Sequence, residues 1–241
     1  MGLDVYVGPV TRYYAGNWET ILQQVAKEGG IPVRVMRPSQ PELGWLDRVL
    51  DRIRPRGPAA TARAVRRWRN RLRNELGLTN LDWNEDPDTE YATDKPAWDC
   101  YGALVLWAAY EELPGAKRRE TAEGWDKDPA YLTSRVNPHS RYRHLIADSE
   151  IWIPVEFGAP LRTTAIVGDS VVVASSILLL AELRELNSRT WKADDQQIPR
   201  WRFDGAEYGG PLEISARFGF SIFYELAKRS VAARLPMKLD Y

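Results

Sequence analysis

Arg12, Tyr13, Tyr14, Asn17 and Trp18 fall inside one short window, RYYAGNW, between an alternating apolar stretch and a helical one. A guanidinium, two phenols, a carboxamide and an indole supply donors and flat rings, but no nucleophile with its base. Their chemistry is recognition. If the first strand ends near Gly8 and a helix begins at Trp18, the link is about nine residues, longer than the ~2–6 usual for such connections. Ligands bind in the crevice beyond the carboxyl ends of parallel strands, and the free N–H groups of the next helix favour an anion there. These five residues are the expected ligand- or partner-binding set. The competing explanation is that they merely seat the first helix on the sheet.

The remaining reactive groups do not assemble into a motif. His139 and His144 occur as HSRYRH, a spacing that puts them on different helix faces and interleaves arginines that repel a metal ion. Either suits general-base work near neutral pH, yet no nucleophile accompanies them. Cys100, the single thiol, lies in an apolar run and reads as core filler in a reducing compartment. Ser170, in GDS, is read as opening a helix, and no histidine follows residue 144 to activate it. DWNEDPDTE lacks the glycine and the bidentate glutamate of a calcium loop. GxGxxG, GxxxxGK[ST] and HExxH do not occur. No catalytic residue, metal ligand or cofactor is assigned.

Charge is balanced overall and segregated locally. Lys plus Arg and Asp plus Glu are 33 each, so no global field steers the chain to nucleic acid, and a nucleic-acid partner is disfavoured. Arg48 to Arg73 nevertheless holds ten arginines and no lysine, and Asp82, Glu85, Asp86, Asp88, Glu90 and Asp94 follow directly. The expectation is that the acidic loop folds onto the basic helix and neutralises it.

These residues need elements to position them. Leu3, Val5 and Val7 alternate with Asp4 and Tyr6, the period of a half-buried strand, and Trp18, Ile21, Leu22 and Val25 make a helical stripe closed by Gly29. Ile31, Val33 and Val35 alternate again, so the first 35 residues read as a βαβ unit with parallel strands. Helices are expected over 39–54 and 59–76, a proline-punctuated loop over 81–95, a helix apolar on nearly all sides over 97–113, and an irregular excursion over 114–138. Strands over 151–157 and 161–167, a helix from 168 to about 190, a loop, an aromatic-rich helix over 211–234 and a strand over 235–241 complete the chain. That order does not alternate cleanly enough for a doubly wound fold. The expected class is α+β: a single domain, 1–241, with a mixed β-sheet and several packed helices, an N-terminal βαβ unit and a C-terminal strand. Residues 39–113 are compatible with a helical subdomain.

No signal peptide and no membrane-length apolar run is visible, which suggests a cytoplasmic protein with no membrane partner. Ten tryptophans, eleven tyrosines and many arginines suit interface anchors. The expected function is therefore a protein-binding or inhibitor module of the immunity type, whose protein partner is a bacterial toxin. The alternative is a hydrolase or transferase with a site near residues 12–18 and His139 or His144 as base. The first reading expects several of Trp45, Trp83, Trp125, Trp191 and Trp201 on an exposed face.

Overall fold

The computed structural model describes residues 3–30, 57–204 and 210–241. The alternation at the N-terminus produces β1 (Asp4–Val7), and antiparallel strands flank it on both sides: β2 (Ala92–Asp94) and β6 (Met237–Asp240). On its other edge β6 meets β3 (Ile151–Ile153) antiparallel, β3 runs parallel to β5 (Ser170–Ser175), and β4 (Leu161–Thr164) closes the edge antiparallel to β5. The result is an open mixed sheet of order β2-β1-β6-β3-β5-β4. The last residues of the chain thus occupy the middle of the sheet, with ladder bonds on both sides.

Each sheet face has its own core. One face carries Val5, Val7, Trp152, Ala174, Met237 and Leu239, covered by α4 (Trp98–Glu112), α7 (Ser176–Arg189) and α8 (Leu212–Ala233). Because α4 is apolar all round, it is buried without interruption from Cys100 to Tyr110. It packs closely on α8 because Gly219 has no side chain: a Cβ there would run into the Cys100 carbonyl oxygen. The Cys100 thiol is pushed up to about 11 by burial. The opposite face carries Ile151, Ile153 and Val173 beneath Val10 of α1 (Val10–Tyr14) and Val65, Trp68 and Leu72 of α3 (Pro58–Glu75). α5 (Pro129–Val136) and α6 (Arg143–Ile146) add Ala130, Tyr131, Leu145 and Ile146 to the first core, whereas α2 (Ile21–Glu28) contributes no buried residue.

The α+β class with a mixed sheet, an N-terminal strand and helices and a C-terminal strand is what forms. Several local expectations are corrected. Residues 10–14, read as part of a loop, form α1, and the acidic loop contributes β2. Gly168, at φ 100°, makes a turn in a conformation that favours glycine, so Ser170 opens β5 and the helix begins only at Ser176. The expected strand at 31–35, the helix at 39–54 and Trp45 lie outside the described residues. Of the segment read as a helical subdomain, α3 and α4 lie on opposite faces of the sheet. No described tryptophan is exposed: Trp83 and Trp201 are core, while Trp125 and Trp191 are half-buried against other rings.

A buried polar knot seats α6 on α7. The Glu182 carboxylate accepts from the His144 and Leu145 amides at 2.9 Å each, and His144 Nδ1 accepts from the Ser175 amide at 3.0 Å. Burial pushes Glu182 up to about 8; burial, then the Arg143 charge, takes His144 down to about 4. Glu182 thus binds more protons folded than unfolded, so stability falls as pH rises from its ordinary value toward 8. His144 acts in the opposite sense between its ordinary 6.5 and 4.

Two predictions follow from this packing, both read by urea unfolding. Gly219→Ala costs about 1–3 kcal/mol through overpacking, whereas Gly115→Ala, with open space around it, stays within about 0.5 kcal/mol. Between pH 6.5 and 8, where Glu182 acts without opposition from His144, the wild-type chain loses about 1–2 kcal/mol from this group, and Glu182→Gln flattens that slope.

Candidate functional site

Tyr6 projects from β1 onto the sheet face away from α4. Its buried ring contacts Tyr13 at 5.3 Å, Trp18 at 5.2 Å and Tyr91 at 5.7 Å, and its hydroxyl donates to the Pro9 carbonyl at 3.1 Å. Burial pushes this phenol well above the ordinary tyrosine range. A side chain at Gly8 would collide with the Tyr6 ring and with Tyr91, so residues 9–18 wrap round Tyr6 only because glycine lets them turn there. Glu85 fixes the start of α1 by accepting from the Val10 and Thr11 amides at 3.1 and 2.8 Å, and it also accepts from the Trp83 indole. One acid of the acidic loop is therefore spent on the fold.

The five residues singled out in the sequence part company around this anchor. Tyr13 stacks on Trp18 at 5.4 Å, meets Tyr14 edge-on and donates its hydroxyl to Asp240. Tyr13, Tyr14 and Trp18 line a hollow of about 490 Å³. Arg12 turns the other way. Its guanidinium lies 4.6 Å from the centre of the Tyr91 ring and donates to the carbonyls of Asn17, Pro87 and Thr89 at 2.9, 3.4 and 3.0 Å. It lines a second groove, of about 550 Å³. Asn17 is exposed and contributes its backbone. The segment is thus the wall between two concavities.

Both concavities are acidic, through residues the sequence reading did not gather. The first is completed by Glu150, Asp169, Lys238, Asp240 and Tyr241. These acids belong to a row at one end of the sheet, where β2 ends at Asp94, β1 starts at Asp4, β6 ends at Asp240, and Glu150 and Asp169 precede β3 and β5. Two of these acids are neutralised: Arg202 holds Asp94 at 2.6 Å and Lys95 holds Asp4 at 3.1 Å. Glu150, Asp169 and Asp240 remain around Lys238, whose ammonium bonds the Leu239 carbonyl. Burial lowers Lys238 and raises Glu150 from their ordinary values, while the neighbouring charges of opposite sign pull each back.

Glu19, Glu28, Asp88 and Glu90 line the second groove with Arg12, Lys27 and Tyr91. Lys27 is committed to Glu19 at 3.0 Å, and Arg229 stands 3.6 Å from the almost fully exposed Glu90. Together the two concavities hold seven carboxylates against three cations on a chain of zero net charge. Either hollow could take a cationic side chain by hydrogen bonding to carboxylates beside an aromatic wall.

The expected neutralisation of α3 by the acidic loop is confined to one pair, Arg69 with Asp82 at 2.6 Å. Asp86 and Asp88 close a turn, Glu85 holds α1 and Asp94 meets Arg202. Neither histidine joins residues 12–18 around the hollows: His139 is exposed, and His144 is enclosed beneath Phe157 with its Nδ1 bonded. Among the described residues no group of three or more His, Cys, Asp or Glu could hold a metal ion, and no helix is long and apolar enough to cross a membrane.

No curated protein and no solved structure matches the chain. A family model does match, over residues 50–238, which include the acidic loop, Glu150 and Asp169. It overturns both the toxin-neutralising expectation and the enzyme alternative, and the partner it suggests is a DNA-binding protein. The chain belongs to the family described as "Putative DNA-mimic protein".

Proposed function

We propose that this chain acts as a DNA mimic: its acidic face stands in for DNA phosphates and occupies the DNA-contacting surface of a DNA-binding protein in the cytoplasm. The family supplies the class, and one structural observation supports the reading: seven carboxylates against three cations in two adjoining concavities of a neutral chain. A carboxylate accepts an arginine fork much as a phosphate does, so the phosphate-gripping arginines and lysines of the partner would be satisfied here. Zero net charge confines the mimicry to this face. It also limits long-range steering, so the complex depends on contacts made after encounter more than on the field of the whole molecule.

Glu28, Asp88 and Glu90 are the carboxylates to remove, because they are exposed and the one ion pair among them, Glu90 with Arg229 at 3.6 Å, is loose and solvated. The wild-type chain, immobilised, should retain a DNA-binding protein from the native cell that duplex DNA then elutes. With Glu28→Gln, Asp88→Asn and Glu90→Gln together, affinity should drop about tenfold at low salt, at roughly 0.5 kcal/mol per exposed charge pair. A retained protein that duplex DNA does not displace, or retention unchanged in the triple variant, counts against the reading.

A further inference from the structure

The outer face of α3 is unlike the other charged helices of this chain. On α7 and α8 three of the five cations are met by carboxylates one turn away: Arg189 by Glu185 at 2.9 Å, Arg217 by Glu213 at 2.5 Å and Lys228 by Glu225 at 3.2 Å. On α3, Arg63, Arg66, Arg67 and Arg73 are exposed and form no ion pair among the described residues. Arg71, also exposed, reaches only the Thr164 carbonyl, at 3.4 Å. The single carboxylate of the helix, Glu75, accepts from the Thr163 hydroxyl at 2.5 Å. Among the described residues, the charge on the outer side of this helix is uncompensated.

Geometry adds direction. Thr61, Ala64, Val65, Trp68 and Leu72 turn toward the sheet, so Arg63, Arg66, Arg67, Asn70 and Arg73, at steps of three and four residues, share the opposite side. From Arg63 to Arg73 the axis advances about 15 Å, the length of about four phosphates along one DNA strand. All four cations on this side are arginines, whose fork bonds a phosphate through two donors where an ammonium acts as a point charge. Trp68, buried beneath them, is not available to stack on a base. Nothing on this face selects a sequence.

We infer that the outer face of α3 is a second functional surface, which grips the phosphate backbone of nucleic acid without reading its sequence. It is independent of the acidic face and does not rest on the DNA-mimic reading. A second copy of the chain is the less fitting occupant, because its seven carboxylates are divided between two concavities on either side of residues 12–18, whereas the α3 arginines form one run matched to a single phosphate strand.

The test is fluorescence anisotropy of a labelled duplex of about 20 base pairs with the full chain, titrated with salt. Binding should appear at about 50 mM salt, with a log–log slope near −3 to −4 for four arginine contacts. Arg66→Ala with Arg67→Ala should make that slope shallower by about two, and the corresponding lysine pair should restore it. The triple variant Glu28→Gln, Asp88→Asn, Glu90→Gln should bind the duplex at least as well as wild type, so this result and capture of a DNA-binding protein can fail separately. No binding at low salt overturns the inference. So does a slope unchanged in the alanine pair, or self-association in sedimentation that the alanine pair abolishes while the duplex goes unbound.

Discussion

The acidic face depends on one contact, the burial of Tyr6 under the segment that follows it. A tyrosine on the solvent side of a strand is ordinarily free to project. Here its ring is closed over by Tyr13, Trp18 and Tyr91, and its hydroxyl is satisfied by the Pro9 carbonyl. That arrangement folds residues 9–18 back across the sheet, and Glu85 locks the turn from the other side. Both concavities then follow, one on each side of the same wall. Aromatic packing is the interaction that holds the wall; the charges line the spaces it creates.

The second constraint is that a chain with equal numbers of acids and bases must separate them in space to offer any surface of one sign. Internal pairing does most of the sorting. Asp82, Asp94, Asp4 and Asp128 are held by Arg69, Arg202, Lys95 and Arg119, and Glu85 and Glu182 are spent on backbone amides. The sheet end and the groove beside α2 keep an excess of carboxylate, while α3 keeps an excess of arginine. Pairing is worth least where side chains are most exposed, as they are in the groove beside α2 and on the outer side of α3.

What could be read from the sequence follows from the range of each signal. Period-two and period-3.6 patterns are local, and β1, α3, α4, α8 and β6 came through with shifts only at their ends. The turn at Gly168 was missed because an apolar run before GDS looks the same whether a strand or a helix follows. Tyr13, Tyr14 and Trp18 are neighbours in the chain and line one hollow, but Glu150, Asp169 and Asp240 become neighbours only through the strand order. No spacing rule connects positions so far apart. The tryptophans misled for a related reason: a ring count says how much aromatic surface a chain has, and only packing says which side of it is wet. The family match begins after residues 12–18, so the wall and its aromatic anchor had to come from the geometry.

The claim that the acidic concavities are the face that meets a DNA-binding protein can be tested by amide hydrogen exchange on the chain, alone and in complex with such a protein. Slowed exchange should concentrate in α2, in the loop around Asp88 to Tyr91 and in the last residues of β6. Exchange unchanged at all three, with protection on α3 or α5 instead, would contradict it.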